Sequence, residues 1–133
     1  MSALRPFRRP RLWLAVWALL AAAVATGSLL PASDVPGWTF PGADKLQHVL
    51  GYAALSAYAV MLFATPGAQW RAGGALLLFG IGIEAAQGLL TASRSADVLD
   101  VLANAAGIAA GLALRRTRAA DGLIRLEATR KRT

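Results

Sequence analysis

Asp44, His48, Glu84, Gln87, Asp97 and Asp100 lie in or beside otherwise apolar stretches of a chain with few other charges. Carboxylates, an imidazole and an amide can bind a polar group, exchange a proton or orient a substrate. Groups of this kind at membrane depth are costly to bury, so they face a partner or a cavity and mark a site by default. Spacing sorts them. Asp44, His48 and Tyr52 recur at i, i+4 and i+8, along one helix face. Glu84 and Gln87 are three apart and share another. Asp97, Asp100, Asn104, Gly107 and Gly111 fall within an arc of about 80° on a third helix. Lys45 and Arg94 are the nearby bases. Arg94 is the expected partner for Glu84 or Asp97, because a guanidinium fork holds a carboxylate through two hydrogen bonds.

The elements that must carry these stripes follow from composition. Hydrophobic residues make up 56% of the 133 and charged residues 16%, which is far too apolar for a soluble domain of this length. Residues 12–114 hold eight charges: Asp34, Asp44, Lys45, Arg71, Glu84, Arg94, Asp97 and Asp100. The pattern predicts an all-α, four-helix transmembrane bundle with spans at about 12–33, 45–64, 72–90 and 97–114. A basic head (1–11) and a basic tail (115–133) flank it. Asp44 is the expected N-cap of the second span, Thr65-Pro66-Gly67 is read as the stop after it, and Asp97 is a candidate cap for the fourth. Ala23-Val24-Ala25 behind a basic head also resembles a leader, but the apolar run continues through Leu29 and Leu30.

Basic residues at both ends, with Arg71 in the middle turn, predict cytoplasmic N- and C-termini in a multi-pass plasma-membrane protein. The polar stripes of spans two to four then share the outer half of the bundle. The net charge of +7 comes from the ends and suits anionic lipid headgroups; no aromatic interleaving or nucleic-acid motif accompanies it. The tail predicts a short surface helix with Leu123, Ile124 and Leu126 on its apolar side.

Each residue also has a structural role to weigh. His48 suits a histidine bonded to a carboxylate, Asn104 an interhelical staple, Tyr52 an interfacial aromatic, and Ala103 with Gly107 and Gly111 a close-packing seam. One histidine and no cysteine predict neither a metal nor a cofactor. No nucleophile motif or phosphate-cradling loop is present, so catalysis, if any, would rest on His48 or Glu84 as general base. The oligomeric state is open.

The string Asp44-Lys45-x-x-His48-x-x-x-Tyr52, then Glu84-x-x-Gln87, Arg94, and Asp97-x-x-Asp100-x-x-x-Asn104-x-x-Gly107-x-x-x-Gly111, resembles the VanZ-like family of small bacterial membrane proteins. The likeness covers roughly residues 40–114. It implies a short helical bundle in the plasma membrane of the cell envelope and a link to resistance against the glycopeptide teicoplanin, whose underlying activity is unsettled. On this basis the expected function is binding of a polar or anionic lipid or cell-wall-related ligand, with Lys45 and Arg94 holding the anion and His48 and the acids orienting it. A membrane-embedded enzyme acting on a lipid-linked substrate, or a small proton-coupled transporter using Glu84, are the alternatives.

Overall fold

The computed structural model describes residues 3–30, 40–90 and 97–129. Four long helices, α1 (Pro10–Leu29), α2 (Ala43–Leu62), α3 (Pro66–Leu90) and α4 (Val98–Ala113), are followed by two 3₁₀ turns and a short α5 (Gly122–Thr129). Among the described residues, three segments, Pro10–Leu29, Pro66–Leu89 and Val98–Arg116, are long and apolar enough to cross a membrane. Helix α2 falls outside that set because Asp44, Lys45, Gln47 and His48 crowd its first turns. It is instead the element around which the others pack.

Two helix starts differ from the sequence expectation. Gly42, not Asp44, precedes α2: it takes φ +82°, a left-handed conformation open to glycine, and Asp44 sits in the first turn. Helix α3 begins at Pro66 rather than near residue 72. Proline is a favoured first helical residue because its missing N–H would have no partner there, and Thr65 Oγ1 accepts from the Ala68 N–H at 3.2 Å. The Pro66-Gly67 pair therefore opens α3 shortly after α2 ends at Leu62, where the sequence predicts only a stop. Buried Gln69, in that first turn, donates to the Val60 and Phe63 carbonyls at 3.2 and 3.0 Å and seals the end of α2.

Helices α2 and α4 make the closest contact. A Cβ on Gly107 would strike the Val49 carbonyl oxygen, and one on Gly111 would lie 2.6 Å from both the Ala53 oxygen and Ser56 Cβ. The Ser56 hydroxyl donates to the Ile108 carbonyl at 2.9 Å across this seam. Tyr52, Leu55, Val60, Leu76, Ile108 and Leu112 fill the core beside it. Helix α1 has no buried residue and is held at three levels: the Tyr58 hydroxyl donates to the Trp13 carbonyl at 3.1 Å, Trp17 Nε1 to the Leu55 carbonyl at 3.0 Å, and Gln87 Nε2 to the Ser28 carbonyl at 2.7 Å.

The two terminal segments meet at one end of the bundle. Arg5 N–H donates to the Leu62 carbonyl at 3.0 Å and Ala64 N–H to Ala3 at 2.9 Å. The predicted tail helix exists as α5, but its inner face is Leu123 and Ile124, packed with Phe7 and Leu62, while Leu126 is exposed. Glu127 fixes it: its carboxylate accepts from the Arg8 and Arg9 N–H groups at 2.7 and 3.2 Å and from Trp13 Nε1 at 3.1 Å. The start of α2, the end of α3 and the start of α4 lie at the opposite end, where the polar stripes converge.

Candidate functional site

Lys45, one turn before His48, reaches across to the start of α4. Its Nζ lies 2.6 Å from Asp97 Oδ2, 2.6 Å from Asp100 Oδ1 and 3.0 Å from Asp44 Oδ2. The ammonium thus donates to Asp97 and Asp44 and pairs by charge with Asp100, whose Oδ1 has no hydrogen-bond partner. Arg94, the expected partner of Glu84 or Asp97, lies outside the described residues; within them, Lys45 pairs with Asp97. Asp97 has a second task, since its Oδ1 accepts from the Leu99 N–H at 2.8 Å and caps α4.

Below this rim the polar groups become progressively enclosed. Side-chain exposure falls from 37% at Asp97 to 12% at Asp100 and 5% at Glu84. His48 stands among them. Its Nδ1 is 3.0 Å from Asn104 Oδ1 and 3.9 Å from Glu84 Oε1, and its Nε2 is 3.8 Å from Asp100 Oδ2. Glu84 Oε2 accepts from the Asp97 N–H at 3.3 Å, while buried Oε1 has no hydrogen-bond partner. Helices α2, α3 and α4 thus each contribute one member of a His48, Glu84 and Asp100 cluster.

Asn104 and Tyr52 form the floor, each 1% exposed. Asn104 is the α4-to-α2 staple that its depth suggested, although it holds His48 in the place expected of a carboxylate. Tyr52 is a core residue, and the interfacial reading does not hold. Its hydroxyl and Asn104 Nδ2, neither with a hydrogen-bond partner, crowd Gly80, where a Cβ would lie 3.0 and 2.8 Å from them. Gly80 is the positioning residue that the sequence reading missed. The signal was a glycine one turn before Glu84 on the same face.

Asp44, Lys45, His48, Glu84, Asp97, Asp100 and Asn104 therefore form one polar group, with Tyr52 packed beneath it against Gly80. Gln87 reaches the site end of the bundle but bonds to α1. The sequence predicted no metal, yet ligand atoms of His48, Glu84 and Asp100 lie within 4.8 Å of one another. In formal charge the group has four carboxylates against one lysine, so it is acid-rich even if His48 is protonated. No known protein family, curated protein or solved structure matches the chain.

Proposed function

We propose that this chain is a VanZ-like multi-pass protein of the bacterial plasma membrane, with both termini cytoplasmic, that binds the polar part of a lipid or cell-wall-related ligand in the outer half of the bundle. The observation that carries this reading is the cluster of half-buried His48 with buried Glu84 and Asp100, entered from the partly exposed Lys45 and Asp97 rim. Buried polar atoms are paired in the great majority of cases. Glu84 Oε1, Tyr52 Oη and Asn104 Nδ2 are not, so the cluster retains hydrogen-bonding capacity for a ligand.

The geometry alters one expectation about that ligand. Lys45 is already ringed by three carboxylates, so a bare anion meets no free ammonium there. Headgroup hydroxyls or an ammonium suit the unpaired acceptors better. On the α1 side of α2, an apolar groove of about 310 Å³ lined by Leu20, Val24, Gly51 and Leu55 starts one turn below His48 and accommodates part of an acyl chain. Teicoplanin resistance is the phenotype this reading attaches to the site.

Catalysis is the second reading, favoured by one observation. Asn104 orients His48 between two carboxylates, as a general base requires. Transport is less well served. Beneath Tyr52 and Asn104 the interior is Leu55, Val60, Leu76, Ile108 and Leu112, and Ser56 directs its hydroxyl to Ile108, so among the described residues no polar path continues to the other end.

Lipid retained by the full-length chain in nanodiscs, measured by native mass spectrometry, tests the proposal. The wild type retains a defined polar lipid and Glu84→Gln or His48→Ala loses it, with helix content unchanged. Retention of the same lipids by all three proteins would contradict it.

A further inference from the structure

Among the described residues, the cluster of His48, Glu84 and Asp100 has a property that headgroup binding alone does not require. Each side chain is fixed by a second partner through one polar atom and turns its other polar atom inward. Glu84 is held at Oε2 by the Asp97 N–H, Asp100 at Oδ1 by Lys45, and His48 at Nδ1 by Asn104. When Nδ1 carries the imidazole proton it donates to Asn104 Oδ1. Nε2 then presents its lone pair toward Asp100 Oδ2, 3.8 Å away, and Glu84 Oε1, 3.9 Å from Nδ1, adds a further unpaired acceptor to the same cluster. Acceptors gathered this closely repel unless a cation lies between. Glu84 Oε1 sharpens the point, because it sits on a residue only 4% exposed and has no hydrogen-bond partner.

We infer that this cluster binds a divalent transition-metal ion, of the zinc or manganese class, through His48, Glu84 and Asp100. One nitrogen and two oxygens suit those ions better than calcium, which takes oxygen ligands in larger number. Three protein ligands leave a coordination position open. Asn104, Lys45 and the Asp97 N–H are the outer partners that orient the ligands, an arrangement typical of metal sites. Ligands bound at about 2.1 Å stand roughly 3.4 Å apart in tetrahedral geometry. The donor atoms, within 4.8 Å of one another, therefore close by about an ångström on binding. The inference deepens the headgroup reading and rests on it for its purpose: an ion at this position offsets the acid surplus and offers its open coordination position to a headgroup hydroxyl.

The test uses the tag-free full-length chain in detergent, stripped with EDTA and titrated with ZnCl₂ or MnCl₂, with bound metal counted by mass spectrometry. The wild type takes up one ion per chain. Glu84→Gln and Asp100→Asn each weaken uptake by roughly 100-fold or more, and Glu127→Gln, at the other end of the bundle, does not. Folding is followed by circular dichroism, and the near-isosteric variants keep the fold. No uptake by folded wild type, or equal uptake by Glu84→Gln, Asp100→Asn and wild type, overturns the inference and assigns the centre to a protonated His48. Lipid retention in the same samples separates the two proposals: ion uptake without lipid retention removes only the headgroup reading, and EDTA-insensitive lipid retention without ion uptake removes only the metal.

Discussion

Lys45 decides the sign and the accessibility of the site. Its ammonium sits against Asp44, Asp97 and Asp100, and removing one partner of an enclosed ion pair leaves the others uncompensated. Lys45 is 30% exposed on its side chain, which moderates the penalty through solvent screening. Lys45→Met is expected to destabilise the bundle by about 2 kcal/mol, measured by denaturant unfolding in mild detergent. Adding Asp100→Asn removes one of the stranded charges, so the double variant is less destabilised than the sum of the two single changes. Strict additivity would mean that the Lys45 and Asp100 contact contributes nothing.

The site residues were legible in the sequence at this scale because polar groups in an apolar chain have few places to go. Their pairing was not. Helical spacing places Asp97 and Asp100 on one face of α4 but does not say whether Lys45 or Arg94 reaches them, since both are long side chains within a turn of the same end. Nor does it show that Gly80 makes room for Tyr52 and Asn104, a fact that depends on how α2, α3 and α4 cross.

Between elements, the α2 and α4 seam sets how closely the stripes approach. Gly107 and Gly111 have backbone atoms of α2 directly above them, whereas Gly74 in α3 has nothing within 4 Å of a built Cβ. The same substitution therefore has opposite signs. Gly107→Ala is expected to cost about 1–3 kcal/mol by forcing α2 and α4 apart, and Gly74→Ala to add roughly 0.5–1 kcal/mol by lowering backbone entropy. Thermal unfolding of the pair checks both. The seam was readable from its four-residue repeat. The start of α3 was not, because Pro66-Gly67 is compatible with stopping a helix or opening one, and the Thr65 cap and the Gln69 bonds to α2 that decide it are tertiary contacts.

Across the whole molecule, the termini close one end while the site occupies the other. Glu127 is the clasp, and the Arg8 N–H, followed by Trp13 Nε1 and the Arg9 N–H, holds its carboxyl below the ordinary value of 4.5. A depressed carboxyl contributes stability that is fully present above the unfolded value and is lost as pH falls through the lower folded one. Amide exchange at Arg8 and Arg9 is therefore expected to accelerate as pH drops below about 4, relative to intrinsic rates, and Glu127→Gln should abolish that dependence. A tail helix was foreseeable from Leu123 and Ile124, but not its docking on the head, because residues 8 and 127 are far apart in sequence and exposed acids rarely announce their partners.

The account as a whole depends on α2, α3 and α4 bringing His48, Glu84 and Asp100 to one depth. The absence of cysteine from the sequence makes this directly measurable in native membranes with the pair His48→Cys and Asp100→Cys and a short bifunctional thiol reagent, with Leu78→Cys, exposed on the outside of α3, replacing Asp100→Cys as the control. Efficient linkage of the first pair and none of the control is the predicted result. Failure of the first pair to link, while both cysteines react singly with a monofunctional reagent, would contradict the convergence on which the site is built.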